Sequence, residues 1–302
     1  MEKFGKVIVK LRIPILILSF LLLIPSAIGY FNTRVNYDIL YYLPNEIETM
    51  QGQDILMDDF NKGAYAMVVV QNMDTKSTDR LIKKVENVDH VAQVISYTGI
   101  VGEDVPSEIV PSKFRKYFEN DSTDTTLFAI FFDNTTSSDD TMNAIIQIRE
   151  QTEGQAFISG MSAVVTDTKN LSEKETPLYV LIAVVLVCIV LAIFMDSFLV
   201  PVFFMISIGM AIVYNLGSNI LLGEVSYITK ALAAVLQLGV TLDYSIFLWH
   251  SYKEMKEIYP DDHKEAMAVA ISNTLTSVVG SSITTVAGFI ALCFMSFTLG
   301  LD

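Results

Sequence analysis

One acidic residue lies in the middle of a long uncharged segment of the sequence. Residues 231–252 carry a single charge, on Asp243, when His250 is taken as neutral. Twelve uncharged residues precede Asp243, which places it ~18 Å along a helix and near the middle of a bilayer. Desolvation favours the neutral form of such a carboxyl group, so it can take up and release protons near neutral pH. Buried acids in membrane spans are costly, and Asp243 is therefore our first candidate for a functional residue.

Three residues close to Asp243 complete the candidate site on this segment: Tyr244, Gly239 and Thr241. Tyr244 follows directly, about 100° further round a helix, and helical spacing gives it a common face with Thr241 and Gln237. Gly239 lies one turn before Asp243 and lets another helix approach closely. We predict that Asp243 carries protons and that Gly239 and Thr241 support it. The competing interpretation is that Asp243 is a neutral or paired packing residue.

A second polar segment follows within the last uncharged run. Two of its residues, Ser281 and Thr284, are predicted to donate hydrogen bonds around the Asp243 carboxyl group. Close packing between helices is an equally good explanation for so many small residues. The small and polar residues of this segment are Ser277, Ser281, Ser282, Thr284, Thr285 and Gly288.

Five uncharged runs determine the architecture that must position these residues. Hydrophobic residues make up 52% of the chain, an excess that indicates membrane spans. A bilayer core needs ~20 apolar residues of helix, so each run is long enough to cross it. The first run is also longer than the apolar core of a secretory signal, so we interpret it as a membrane anchor. The runs are 13–33, 176–195, 197–223, 231–252 and 271–301.

The charges beside the first run predict the orientation of the chain. Lys3, Lys6, Lys10 and Arg12 precede it, and a basic cluster of this kind keeps the N-terminus in the cytoplasm. We therefore predict a multi-pass protein of the cytoplasmic membrane with its N-terminus inside. The predicted parts are an N-terminal segment with span one (1–33), an extracytoplasmic domain (34–175), and spans two to five (176–302) with a cytoplasmic helix at 252–270.

The segment 34–175 has the pattern of an α+β domain. Its strand-like and helical stretches alternate as β-α-β, β-α-β, the order of a split ferredoxin-like arrangement, which we expect to form a porter domain. Its 24 acidic and 12 basic residues give no basic face, so nucleic acid is not a predicted partner. The predicted strands are 64–72, 91–98, 126–133 and 155–160, and the predicted helices are 78–88 and 138–152.

The chain offers few residues for metal, cofactor or catalytic chemistry. The only two cysteines, Cys188 and Cys293, lie in apolar runs, and the three histidines are far apart in the sequence. The sequence contains no Walker-type phosphate loop, so ATP is not the predicted energy source. We expect no metal and no cofactor other than protons as the coupling ion, and we do not expect an enzyme.

The motif around Asp243 resembles a known transporter family. The stretch Gly239-Val-Thr-Leu-Asp243-Tyr244 is similar to the fourth-span Gly-x-x-x-Asp-Tyr motif of the resistance-nodulation-division superfamily, in its mycobacterial-membrane-protein-large branch. A short charged segment (251–268) and a Ser/Thr-rich span (276–288) follow, as they do in that branch. The resemblance implies a secondary active transporter, driven by the proton motive force, that exports lipids or other hydrophobic compounds. It also assigns the proton relay to Asp243 and Tyr244.

The same resemblance implies that part of the machinery lies outside this chain. In the branch, the Asp and Tyr of the fourth span meet counterparts in a second repeat, so we expect this chain to be an N-terminal half that needs that repeat or forms a homo-oligomer. Membrane lipids and a hydrophobic cargo are the other expected partners. Two alternatives stay open: a Sec-associated protein-translocation factor of the same superfamily, and a non-transporting membrane receptor or assembly factor.

Overall fold

The chain divides into two compact units. A computed structural model describes residues 2–102, 105, 109–120, 122–152, 154–195, 197 and 199–301. The first unit, called the membrane unit, comprises Met1–Asn36 and Glu173–Asp302. The second, called the sheet unit, comprises Tyr37–Ser172.

Eleven α-helices and seven β-strands are formed by the described residues. The helices are α1 (Glu2–Lys10), α2 (Arg12–Asn32), α3 (Glu48–Asp58), α4 (Thr75–Glu86), α5 (Tyr97–Val101), α6 (Ser112–Arg115), α7 (Asp139–Thr152), α8 (Met161–Phe194), α9 (Leu199–Ser218), α10 (Tyr227–Ile258) and α11 (His263–Leu292). The strands are β1 (Arg34–Asn36), β2 (Ala64–Gln71), β3 (Val91–Ile95), β4 (Glu119–Asn120), β5 (Thr125–Phe132), β6 (Ala156–Ser159) and β7 (Glu224–Ser226). Short 3₁₀ helices occupy Ile39–Tyr42, Asn219–Leu221 and Thr298–Leu301.

Five of the described helices are long and apolar enough to cross a membrane, which confirms the predicted number of spans. They are α2, α8, α9, α10 and α11. Three of them, α8, α10 and α11, extend well beyond their uncharged runs. Helix α8 begins at Met161 and continues through Pro177, although the sequence predicted a span beginning at residue 176. Its first turns are polar but partly buried, with Ser162 and Thr166 inaccessible to solvent, so packing rather than apolarity makes them helical.

The predicted single helix at 252–270 is wrong. Helix α10 ends at Ile258, and α11 begins at His263, so this segment is the ends of two long helices joined by a turn. Pro260 disfavours helical geometry at Tyr259, which has φ −119° and ψ 67°. Asp262 then caps α11, since its carboxylate accepts hydrogen bonds from the backbone N–H groups of Lys264 and Glu265, both at 3.0 Å.

Glycines allow very close packing between α2 and α9. A Cβ atom added to Gly217 would lie 2.1 Å from the carbonyl oxygen of Ser26, and one added to Gly29 would lie 2.1 Å from the oxygen of Gly217. The Tyr214 hydroxyl group also donates a hydrogen bond to the Ser19 carbonyl oxygen at 2.6 Å. Small residues let two backbones approach in this way when hydrophobicity alone gives no reason for helices to associate in lipid.

A two-stranded parallel pair links distant parts of the membrane unit. Strand β1 follows α2, strand β7 precedes α10, and Val35 pairs with Val225. Ser226 then caps α10, because its hydroxyl oxygen accepts a hydrogen bond from the Ile228 N–H group at 3.2 Å. The strand pair and the cap together fix where α10, the helix that carries Asp243, begins.

The sheet unit contains an antiparallel sheet with the strand order β3-β5-β2-β6, and β4 pairs with the start of β5. Strand β2 pairs with β5 over its whole length, from Ala64 opposite Phe132 to Gln71 opposite Thr125. Alternate side chains of β2 and β5 are buried, as expected for a sheet with one face covered. The covering helices are α4 and α7, whose apolar residues share one core with the sheet.

Local hydrogen bonds explain where the predicted elements of the sheet unit begin and end. The Ser138 hydroxyl oxygen accepts a hydrogen bond from the N–H group of Asp140 at the start of α7, which agrees with the predicted helix start at 138. The second predicted strand was too long, because β3 ends at Ile95 and Ser96 caps the short helix α5. The Ser96 hydroxyl oxygen accepts from the Gly99 N–H group at 3.1 Å, which turns the chain out of the strand.

Candidate functional site

The candidate site is built on two helices of the membrane unit, α10 and α11, which pack against each other. Asp243 lies at the middle of α10. Tyr244 follows it on the side of α10 that faces α11, because its hydroxyl group contacts Ser281 and Ser282. The structure therefore brings Tyr244 and Ser281 together across the helix pair.

The Tyr244 phenol is held by two hydroxyl groups. It donates to the Ser281 Oγ at 3.5 Å and accepts from the Ser282 Oγ at 3.4 Å. Both distances are long for hydrogen bonds between hydroxyl groups, which are usually 2.7–2.8 Å. The phenol is therefore positioned but weakly bound, and a small approach of α11 to α10 would strengthen both bonds.

The hydroxyl groups next along α11 bond to their own helix. Thr284 donates to the Ser281 carbonyl oxygen at 2.7 Å, and Thr285 donates to the same oxygen at 3.1 Å. Thr284 was predicted to support Asp243 directly, but here its hydroxyl group bonds to the backbone. The support that α11 gives in this arrangement goes to Tyr244, through Ser281 and Ser282.

Asp243 points away from this hydroxyl cluster. Its side chain is exposed, and within the described residues no hydrogen bond or ion pair reaches its carboxyl group. The predicted hydrogen bonds from Ser281 and Thr284 to this carboxyl group are not formed in this arrangement. Tyr244 is its neighbour in the helix and half-buried, about 100° away round the axis.

The two predicted supporting residues on α10 differ in their surroundings. Gly239 is exposed, and a Cβ atom added to it would meet nothing within 4 Å. That Gly239 lets another helix approach closely thus stays a prediction, because no described helix lies against it. Thr241 is half-buried, and its carbonyl oxygen accepts a hydrogen bond from the Ser245 hydroxyl group at 3.2 Å.

An exposed stripe runs along α10 through Asp243. Its members recur every three or four residues and are all exposed to solvent, so they lie on one face. This face, called the acidic stripe, is apolar except for its central carboxyl group. It consists of Leu232, Leu236, Gly239, Asp243 and Phe247.

Two residues that were not predicted as site members belong to the same region. Ser282 contacts the Tyr244 phenol, and it lies one residue after Ser281 in the run of hydroxyl residues. Gln237 lies on the Tyr244 face of α10, and its buried amide oxygen has no hydrogen-bond partner among the described residues. The shared helical face was the available signal for Gln237, whereas the contact of Ser282 depends on how α11 is rotated.

The described residues show no cluster of three or more His, Cys, Asp or Glu side chains suited to a metal ion. Cys188 and Cys293 are both free thiols. The candidate site therefore consists of Asp243 and Tyr244 on α10 and the hydroxyl groups of Ser281 and Ser282 on α11.

The architecture and the site define a multi-pass membrane protein with one acidic position in the middle of a span. The model of the MMPL family matches residues 42–299, and the chain therefore belongs to the MMPL family. Family membership indicates a transporter-like role in a membrane and not an enzymatic one. This finding confirms the resemblance that the Gly-x-x-x-Asp-Tyr motif implied.

A relative from an archaeon matches most of the chain. The "Putative membrane protein" of Methanocaldococcus jannaschii is 23% identical over 317 residues, which cover 92% of this chain and 81% of the relative.

Proposed function

We propose that this protein exports lipids or other hydrophobic compounds across the cytoplasmic membrane and that a proton gradient drives the export. The observation that carries the proposal is the position of Asp243 in the middle of α10, next to a phenol held by hydroxyl groups of α11. An acid in the middle of a span is expensive and is retained where it has a function. Family membership supports transport as that function.

In the proposed mechanism, Asp243 takes up a proton from one side of the membrane and releases it to the other. The neutral form of its carboxyl group tolerates an apolar neighbour, and the charged form requires water or a polar partner. Tyr244 couples this change to α11, because its long hydrogen bonds to Ser281 and Ser282 can shorten or break as the helices shift. Each proton that crosses gains ~2.3 kcal/mol per 100 mV of membrane potential.

The sheet unit is proposed to be an extracytoplasmic, ferredoxin-like porter domain. Its strand order β3-β5-β2-β6, with α4 and α7 as the crossover helices, supports this arrangement. The uncovered face of the sheet exposes Tyr65, Met67 and Phe157, which suits a hydrophobic cargo or a second porter domain. The basic cluster before α2 supports an N-terminus in the cytoplasm.

We further propose that a second helix with an Asp–Tyr pair covers the acidic stripe. A lone carboxyl group on a lipid-facing stripe would be costly, and the open space beside Gly239 leaves room for a close helix. The partner is either a second repeat of the same protein or a second copy of this chain. The archaeal relative favours a second copy, because the match to this chain already covers 81% of that relative.

Cross-linking tests the second copy. In a Cys188→Ser, Cys293→Ser background, Gly239→Cys should form a covalent dimer within membranes when oxidised. A cysteine at Gly209, also exposed and open but on α9, is the matched control and should remain monomeric. Equal cross-linking at both positions, or none at Gly239, would contradict a copy-to-copy contact on the acidic stripe.

The transport proposal is tested in vesicles that contain the full-length protein. Asp243→Asn should abolish gradient-driven export of a fluorescent phospholipid, because Asn keeps the shape of the side chain but cannot carry a proton. Glu254→Gln, an acid of the same helix beyond its uncharged run, is the control and should export normally. Tyr244→Phe should slow export without abolishing it. If Asp243→Asn exports at the normal rate with matched protein levels, Asp243 has only a structural role.

A further inference from the structure

The short helix α1 presents three different faces. Gly5 is buried, and Ile8 and Val9 beside it are half-buried. A second face, made of Phe4, Val7 and Leu11, is apolar and about half-exposed at 48%, 50% and 44%. A third face is basic and contains Lys3, Lys6 and Lys10. The exposed apolar face and the basic face are neighbours, the arrangement of helices that lie in a membrane surface.

The buried face fixes α1 against α11. A Cβ atom added to Gly5 would lie 2.0 Å from the Ala268 carbonyl oxygen and 2.8 Å from the Ser272 Oγ, so the two backbones are in direct contact. The Lys6 ammonium group lies 2.7 Å from the Glu265 carboxylate. This ion pair neutralises Lys6, and the positive charge offered to other partners therefore comes from Lys3 and Lys10.

Both ends of α1 lie where uncharged runs begin. Gly5 contacts Ala268 and Ser272, which flank the start of the uncharged run at residue 271. The other end of α1 leads directly into Arg12, after which the first uncharged run begins. The helix therefore stays at the level of the membrane border rather than extending away from it.

We propose that α1 is a binding site for anionic lipids at the membrane surface. The apolar face of Phe4, Val7 and Leu11 enters the acyl-chain region, and Lys3 and Lys10 bind the negative headgroups beside it. The positive charges complement an anionic leaflet, and the direct continuation into α2 keeps the helix next to lipid. This proposal does not depend on transport activity.

The test measures which lipids surround α1 in the complete chain. A fluorophore is attached at Val7→Cys in a Cys188→Ser, Cys293→Ser background, and the protein is placed in vesicles of phosphatidylcholine and phosphatidylglycerol. Bromine atoms on the acyl chains of one lipid or the other quench the fluorophore on contact. Both leaflets have the same composition, so the orientation of the protein does not affect the result.

The fluorophore should be quenched by brominated lipid, and several-fold more by phosphatidylglycerol than by phosphatidylcholine at equal mole fraction. A lysine near an anionic surface contributes a preference of about fivefold. Lys3→Gln with Lys10→Gln should remove the preference, and Lys3→Arg with Lys10→Arg should keep it. As the matched control, Lys76→Gln with Lys84→Gln removes two charges from α4 and should change nothing.

Three results would overturn the proposal. The first is a fluorophore that neither brominated lipid quenches, since α1 would then not lie in the membrane surface. The second is equal quenching by the two lipids in the chain with its lysines intact. The third is a preference for phosphatidylglycerol that survives in the Lys3→Gln, Lys10→Gln variant. The first two need no lysine variant to fold, so the test remains decisive if that variant inserts poorly.

Discussion

The contact between α2 and α9 leaves no room for a methyl group at Gly217. In Gly217→Ala, the new Cβ atom would lie 2.1 Å from the Ser26 carbonyl oxygen and 2.6 Å from the Ser26 Cα atom. Both neighbours are backbone atoms, which cannot rotate away as a side chain can. The helices must therefore separate by about 1.3 Å to reach ordinary van der Waals contact at 3.4 Å.

The expected cost follows from what this separation disturbs. Forcing one extra carbon into a closely packed site usually costs ~1–3 kcal/mol. The hydrogen bond from the Tyr214 hydroxyl group to the Ser19 carbonyl oxygen, 2.6 Å long, joins the same two helices and would lengthen with them. We therefore expect the unfolding equilibrium of Gly217→Ala to shift by roughly 5- to 150-fold.

Unfolding of the purified protein by sodium dodecyl sulfate in mixed micelles measures this shift. Gly209→Ala is the matched control, because Gly209 lies on the same helix and a Cβ atom there would meet nothing within 4 Å. That control should be neutral or up to ~1 kcal/mol more stable, since Ala favours a helix more than Gly. If Gly217→Ala and Gly209→Ala unfold alike, the close α2–α9 contact does not exist as described.

Two further predictions concern pH and topology. Hydrogen bonds from Ser77 hold the pKa of Asp74, the cap of α4, below its usual value. The Asp74 cap therefore stabilises the fold above the pKa that Asp74 has in the unfolded chain, and this stabilisation is lost as pH falls through the pKa in the folded chain. The unchanged protein should therefore melt at a higher temperature than Asp74→Ala above about pH 4, and this difference should shrink at lower pH. A difference that grows on acidification would contradict the prediction. For topology, Ser122→Cys and Lys256→Cys place a cysteine at two exposed positions. A thiol reagent that does not cross the membrane should label only the cysteine at 122 in intact cells. Labelling of the cysteine at 256 alone would show that the orientation is the opposite of the predicted one.

The sequence predicted those elements that depend on local patterns. Uncharged runs revealed the five spans, because a bilayer excludes charge over a fixed length. Alternating or continuous apolar stretches located strands β2, β3, β5 and β6 of the sheet unit, and burial alternates along β2 and β5. The turn at Pro260 and Asp262 was missed by the prediction of one helix at 252–270, although a proline followed by a capping residue is a local signal that separates two helices.

Contacts between distant segments were not predictable in the same way. Strands β1 and β7 are three residues each and meet across most of the chain, so neither has a pattern of its own. The polar first turns of α8 are helical because they are buried, as the hydrogen bond from Ser162 to the Tyr65 carbonyl oxygen shows. At the candidate site, helical periodicity placed Tyr244 and Asp243 on different faces. Which hydroxyl groups reach Tyr244 depends on the rotation of α11.

The glycines of the membrane helices are of two kinds: some touch the backbone of another helix, and others lie beside open space. Gly29 and Gly217 lie on α2 and α9, where each touches the backbone of the other helix. Gly239, Gly280 and Gly288 lie on α10 and α11, and a Cβ atom at any of them would meet nothing within 4 Å. Glycine costs a helix about 1 kcal/mol relative to alanine, so an exposed glycine in a span is stabilising only where another helix comes close. Three of the four open glycines in the described spans thus lie on the two helices that carry Asp243 and the hydroxyl cluster, where the proposed partner helix would pack, and the fourth is Gly209 on α9.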